Sequence, residues 1–335
     1  MGILIKRFAS KLVLVIVLAF AFSLCLSSYA EAITLIPPSL EIGLKPGKVY
    51  SSEIKLYNET ASPVELYTEK TAFTAQGETG KPDFDFDADT EIGLVSWIDI
   101  EAGPIVVQPG QRYYVPLAIN APLDADPGGH YATIFFSTNP PEEGQVKISS
   151  KVGTLVFANV DGEVTEQVKI VEFDTSGGKG SFNRLPVEFF TRIQNSGNVH
   201  LKPTGSIVIT NILGKESGSV DFNSTKGAIL PDTTRRFDSM WEKSVVVEKS
   251  GNIWSNFWNE YSNEKNNFGF GQYKAEISIT AGTNDSVTDN SSVAFWIIPW
   301  RMIVVWGLVV VIAVILVVAL LKRYNAWIIK KSSNK

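Results

Sequence analysis

Asp83, Asp85, Asp87, Asp89 and Glu91 alternate along one short run, with Phe84 and Phe86 between the first three acids. Oxygen ligands at every second position of a loop can gather around Ca²⁺, a hard cation that takes oxygen donors. The EF-hand pattern fails here, because Ala88 stands sixth from Asp83, where the sharp turn needs glycine. Two readings follow: a Ca²⁺ site at Asp83, Asp85, Asp87 and Asp89, or a solvated loop that turns its two Phe rings into the fold. Paired carboxylates also serve glycoside hydrolysis, but no aromatic-lined cleft is legible beside them. The two histidines, His130 and His200, stand far apart, each next to turn residues. A side chain bonded to nearby backbone is expected of both. No His-x-x-x-His, Cys-x-x-Cys or Gly-x-Ser-x-Gly motif occurs. Gly177-Gly178-Lys179-Gly180-Ser181 lacks the spacer of a phosphate-binding loop. The chain is therefore expected not to be an enzyme.

A second constellation is aromatic. Trp254, Trp258 and Tyr261 fall at i, i+4 and i+7, with Ile253 and Phe257 beside them. On a helix these rings share one broad face. Trp254, Phe257, Trp258 and Tyr261 are thus either one side of a short helix packed on its domain or an exposed surface for a sugar, a lipid or a protein. Aromatic rings serve both stacking and membrane interfaces.

The elements around these groups read as strands. Tyr113, Val115, Leu117 and Ile119 alternate with more polar neighbours, as do Val187, Phe189, Thr191 and Ile193, and Tyr273, Ala275, Ile277 and Ile279. Period-two patterns bury one face of a strand. Pro46-Gly47, Pro109-Gly110, Pro127-Gly128 and Gly177-Gly178 punctuate them as turns. Short strands between such turns predict an all-β chain of two tandem immunoglobulin-like sandwiches. Strands are expected at Gln145 to Ala158 and Val164 to Phe173. The apolar-free stretch Gly177 to Ser181 offers the best boundary, and the Asp161-Gly162 turn is the alternative. The division is set at 33–162 and 163–298.

The two ends differ in kind. Residues 1–32 have a basic start, an apolar run from Leu12 to Leu26 and Ala30-Glu31-Ala32 before Ile33, the pattern of a signal peptide. The only cysteine, Cys25, lies in this leader, so the mature chain is expected to carry no disulfide. Residues 299–321 predict a transmembrane helix: Met302 to Leu321 contains no charged residue and has about the length of a bilayer core. Lys322 and Arg323 open a basic tail, 322–335, with no acid. The positive-inside rule then predicts a cytoplasmic tail and an exported body. With Met302, Leu321, Lys322 and Arg323 marking the anchor, the lipid bilayer is one expected partner. The net charge of −5 argues against nucleic acid as another.

Residues 33–160 also resemble the N-terminal domain of the WxL-interacting proteins of bacterial cell surfaces. The resemblance is carried by Ile36-Pro37-Pro38-Ser39, Pro46-Gly47, Leu56-Tyr57-Asn58, Ser96-Trp97-Ile98, Val107-Gln108-Pro109-Gly110-Gln111 and Pro127-Gly128-Gly129-His130-Tyr131-Ala132. The order of signal peptide, two β domains, one helix and basic tail is similar too. Asn195-Ser196-Gly197-Asn198-Val199-His200 resembles a strand-turn-strand motif of bacterial immunoglobulin-like modules. The family resemblance implies a first domain that binds peptidoglycan and a second that binds proteins. It implies no individual binding residues. The expected function is a non-enzymatic binding or scaffolding module, membrane-anchored at the bacterial envelope, that meets cell-wall glycan or a surface protein. The alternatives are an envelope assembly chaperone that adds a strand, a glycoside hydrolase and a ligand-free stalk.

Overall fold

The structure, a computed structural model, describes residues 33–86, 91–140, 151–246 and 252–332. The expected signal peptide, with Cys25, lies outside the described residues.

The first sandwich packs two sheets. One has the order β1-β3-β8-β6, from β1 (Ile33–Ile36), β3 (Val49–Asn58), β8 (Arg112–Asn120) and β6 (Ile98–Ile100). The other runs β2-β10-β9-β4-β5, from β2 (Ser39–Leu44), β10 (Lys151–Val160), β9 (Gly128–Ser137), β4 (Val64–Ala75) and β5 (Pro82–Asp85). A short β7 (Ile105–Val107) also pairs with β4, and a one-turn helix, α1 (Gly93–Trp97), buries Leu94 and Val95. The chain enters one sheet as β1 and crosses to the other as β2 at Pro37-Pro38, where two missing N–H groups end the ladder. β2 then runs parallel to β10, while the remaining pairs of this sandwich are antiparallel.

The second sandwich repeats the plan. Its smaller sheet is β11-β13-β16, from β11 (Val168–Thr175), β13 (Val187–Asn195) and β16 (Thr233–Trp241). Its larger sheet is β12-β18-β17-β14-β15, from β12 (Ser181–Phe182), β18 (Val287–Ile297), β17 (Gly271–Ala281), β14 (Thr204–Asn211) and β15 (Glu216–Phe222). A helix, α2 (Ile253–Asn266), interrupts the strands before β17, and α3 (Trp300–Ser332) follows β18 after two residues.

The period-two patterns bury the predicted faces. Val115, Leu117 and Ile119 enter the first core, while Phe189, Ile193, Ala275, Ile277 and Ile279 enter the second. Each such large apolar side chain contributes roughly 1.5–3 kcal/mol on burial. Two buried asparagines end matching strands. Asn58 donates to the carbonyls of Ser62 and Val107 and accepts from the Thr60 N–H. Asn195 donates to Val199 and Ile229 and accepts from Gly197. Two motifs that look unrelated in sequence are thus one device, an Asx turn that satisfies buried backbone at a strand end.

Three details differ from the sequence expectation. The Gly177 stretch is no boundary: Gly177 and Gly178, at φ 76° and 63°, turn the chain from β11 to β12 inside the second sandwich. The link between sandwiches is 161–167. β11 begins at Val168, later than Val164, while β10 is described from Lys151 onward and Gln145 to Ser150 lie outside the described residues. The C-terminal helix continues through Lys322 and Arg323 to Ser332, because Arg, Lys and Leu side chains do not break a helix. Its segment Trp300–Trp327 is long and apolar enough to cross a membrane and is not buried in the fold.

Candidate functional site between the two sandwiches

The outer face of the β2-β10-β9-β4-β5 sheet is unusually aromatic. Alternation sends Ala132, Ile134, Phe136, Val156 and Ala158 into the core. The same alternation sends Phe73, Tyr131, Phe135 and Phe157 outward. Phe73 lies 5.5 Å from Phe157 and 5.8 Å from Tyr131 between ring centroids. An exposed patch of this kind needs a cover. The second sandwich supplies it with His200, 4.9 Å from Phe157 and 5.8 Å from Tyr131. Burial pushes the His200 pKa down to about 4, so the ring is neutral near pH 7.

Polar contacts fix the joint. The turn between β4 and β5 reaches β13 and β16. The Glu78 carboxylate accepts from Arg192 Nε at 2.8 Å and Nη2 at 2.5 Å, and the Glu78 carbonyl accepts from the Arg236 N–H at 2.9 Å. The Arg192 hydrogen bonds hold the Glu78 carboxyl below the usual range. On the opposite side the Gly129 N–H donates to the Asn198 carbonyl at 2.8 Å, and Lys202 pairs with Glu41.

Between these contacts lies a cleft of about 230 Å³. Phe73, Leu155 and Phe157 form an apolar floor, and Lys81, Lys202, Lys226 and Arg235 line it together with one acid, Glu41. Two of its cations are held uncomfortably. Burial lowers the Lys202 pKa, and the charge of Lys226 lowers it further. Burial also lowers that of Arg235, whose guanidinium donates to the Ala228 carbonyl and sits 4.9 Å from the Phe237 ring centroid. Gly80 and Gly227 leave room for it, since a Cβ at either would stand 2.2 or 2.6 Å from guanidinium atoms. An anion entering the cleft would offset both penalties.

β10 enters the cleft wall with Leu155 and Phe157. β2 pairs with β10 from Leu155 to Val160, and Lys151 to Gly153 lie beyond its register. Thr154 is tied to this boundary by its hydroxyl, which donates to the Pro37 carbonyl at 2.7 Å.

The sequence-predicted groups lie elsewhere. Asp83 and Asp85 are exposed on β5, while Asp87 and Asp89 lie outside the described residues. Among the described residues no group of three or more His, Cys, Asp or Glu is placed to hold a metal ion. Phe84 does not enter the space between the sheets; it packs on the outer face, 4.9 Å from Phe135 and 6.5 Å from Phe73. The Phe86 ring is exposed and has Lys151 Nζ 4.5 Å above it. His130 donates from Nε2 to the Asp126 carbonyl, 2.8 Å away, a local turn contact. Trp254, Phe257, Trp258 and Tyr261 do lie on a helix, α2, but that helix packs by its polar side. Trp254 and Trp258 are exposed, and Phe257 and Tyr261 half-buried. Met302, Leu321, Lys322 and Arg323 all lie on α3.

Sequence reasoning missed the cleft cations. They come from a hairpin turn, a loop and two strand starts, and no linear spacing joins Lys81, Lys202, Lys226 and Arg235. The outward phase of Phe73, Tyr131 and Phe157 was the available signal, because each breaks the polar half of its strand's alternation.

No family model matches the chain, and no curated protein matches it. Among solved structures, the chain is similar to the class 5 fimbriae chaperone CfaA, at 12% identity and a TM-score of 0.39, over 80% of this chain and 100% of that one. It is similar to the Pseudomonas aeruginosa CupB2 chaperone, at 8% and 0.35, over 77% and 98%. The E. coli chaperone DraB is also similar, at 11% and 0.33, over 79% and 97%. At such scores these likenesses carry no functional argument. The two-sandwich architecture rests on the sheets themselves.

Proposed function

We propose that this chain is a membrane-anchored, non-enzymatic envelope protein that holds an extended segment of an exported protein in the cleft between its sandwiches. The observation that carries the proposal is the pairing of an apolar floor with four cations in one cleft. An added strand would run along the cleft past Leu155 and Phe157 of β10. Apolar side chains of that strand would cover Phe73, Leu155 and Phe157, and an acidic group would meet Lys202 and Lys226. Strand addition of this kind is the chemistry of an assembly chaperone. A cell-wall glycan, the ligand implied for the first domain by the WxL-interacting resemblance, has no comparable support among the described residues. The exposed Trp pair stands at the far end of the second domain. The basic tail orients α3 with its C-terminal end in the cytoplasm and both sandwiches outside.

Two measurements test this. A photoreactive residue at Lys226 of the full chain, in cells, is expected to form adducts with exported polypeptides, and one at Leu123 is not. The purified full chain should bind insoluble peptidoglycan no better than an unrelated acidic sandwich does. Adducts equal at both positions, or strong peptidoglycan retention, would overturn the proposal.

A further inference from the structure

Helix α2 is amphipathic in reverse. Its polar stripe faces inward: Asn263 is 1% exposed, Glu264 fully buried, and Glu260 and Asn267 buried as well. Its apolar side faces out, with Ile253 86% and Trp254 73% exposed and Trp258 beside them. A water-facing helix normally shows the opposite arrangement.

The inward carboxylates explain how this is stable. Glu264 accepts from Arg301 Nη1 at 2.9 Å and from the Met302 N–H at 3.1 Å, a backbone donor of the first turn of α3 with no partner inside its helix. Glu260 stands 3.4 Å from Arg184 and 3.6 Å from Arg301. α2 is thereby locked to the start of the membrane-length helix. Wherever Trp300 to Met302 meet the bilayer, α2 lies within about one helix diameter of it.

Strand register supplies an independent observation. Asn211 pairs with Tyr273 and Gly271 with Ile297, and the Trp241 ring at the end of β16 lies 5.5 Å from that of Tyr273, so the ends of β14, β16 and β18 share one end of the sandwich. That is the end from which α3 departs. The turn after β14 carries Leu213, 88% exposed, and the segment after β16 carries Val245, 92% exposed. Phe268 and Phe270, beside the start of β17, are exposed too. The outward face of α2 carries no acid, since Glu260 and Glu264, its only acids, are buried.

We propose that this end of the second sandwich is a lipid-contacting platform. The aromatic face of α2 and the Leu213 turn lie in the headgroup layer of the bilayer that α3 spans. The inference rests on the reading of α3 as a membrane anchor. Lipid is the occupant because the patch is continuous with the lipid-facing surface of α3 and is led by tryptophan, which settles at membrane interfaces. The platform would hold the ectodomain at a fixed tilt instead of leaving it on a free pivot.

The test uses the full chain with Cys25→Ser in phosphatidylcholine–phosphatidylglycerol vesicles, with one nitroxide-labelled cysteine at a time. Ser262→Cys, on the outward face of α2, and Leu213→Cys report the platform. Val310→Cys reports the membrane core and Leu123→Cys reports water. The labels at 262 and 213 are expected to collide severalfold less with a water-soluble nickel complex than the label at 123, and more with oxygen. Nickel collision equal to that at 123, with the label at 310 in lipid, would overturn the platform while leaving the anchor standing. A label at 310 in water would remove both. Exclusion of both reagents at 262, with spin–spin broadening that dilution by unlabelled chain removes, would make the patch an interface between copies and overturn the lipid proposal.

Discussion

Glu78 in the first sandwich and Arg192 in the second form a two-bond pair, at 2.8 and 2.5 Å, across the joint between the domains. Arg192 also donates to Glu172, which belongs to its own sheet. One guanidinium therefore ties the hairpin of one domain to two strands of the other. Both Glu78 and Arg192 are more than a third exposed, so solvent screens the pair.

Glu78→Gln is expected to loosen the joint modestly. The bidentate geometry places the pair at the upper end of what exposed ion pairs contribute. A double-mutant cycle with Arg192→Ala, read as the unfolding midpoint of the full chain in detergent, should return a small favourable coupling. A coupling of zero would show that the backbone bonds of Arg236 and Gly129, the Lys202–Glu41 pair and the aromatic cover hold the joint without it.

Acid should open the same joint. The Glu78 carboxyl is held below its usual range by Arg192, so its contribution is present above the ordinary carboxylate pKa and fades as pH falls through the depressed value. Burial holds His200 at about 4, below its usual 6.5. A histidine that resists protonation when folded loses stability as pH falls below the unfolded pKa, and the loss is complete below the folded one. Both effects have the same sign, and most of the His200 part lies between 6.5 and about 4. The His200→Leu variant should show a flatter stability profile across that window than the parent chain. Equal slopes would remove His200 from the account.

Much of the architecture is legible in the sequence. Val115, Leu117 and Ile119, or Ala275, Ile277 and Ile279, state their buried face through period-two spacing, which local backbone geometry enforces. The apolar run from Met302 is legible as a helix long and apolar enough to cross a membrane. The joint was illegible because it unites Glu78 with Arg192 and Phe157 with His200 across long stretches of chain, and only the tertiary fold brings them together. The outward α2 face was illegible for another reason. The spacing of Trp254, Trp258 and Tyr261 gives the helix but not the side that packs, and here the partners Arg184 and Arg301 pull the carboxylates inward. Gly177 to Ser181 misled because a loop inside a domain and a linker between domains have the same composition.

Close backbone approach makes two glycines indispensable. A Cβ on Gly205 would stand 2.0 Å from the Ser278 carbonyl oxygen of the neighbouring strand, and one on Gly197 2.2 Å from the Thr165 carbonyl oxygen. Neither obstacle is a flexible side chain. Gly205→Ala and Gly197→Ala are each expected to cost on the order of 2–3 kcal/mol or more. Gly43→Ala meets nothing within 4 Å and should stay within about 0.5 kcal/mol of the parent. Chemical denaturation of the full chain in detergent compares the three. Similar midpoints would mean that the strands around Gly205 and Gly197 separate freely.

The cleft cations yield the last expectation. Lys202 is lowered first by burial and then by the charge of Lys226. Lys226→Gln should therefore raise the Lys202 pKa part of the way back, while burial keeps it below that of an exposed lysine. Direct NMR titration of the lysine ε-methylene groups can follow this. The same substitution removes one cation facing an incoming acidic segment, so binding of an extended acidic peptide should weaken and lose part of its salt dependence. Lys45→Gln, which removes a cation that does not line the cleft, should leave both readings unchanged. If Lys226→Gln weakened binding with no change in salt dependence, the loss would lie in packing against the aliphatic stem of Lys226. The charge of the cleft would then not be what recognises the partner.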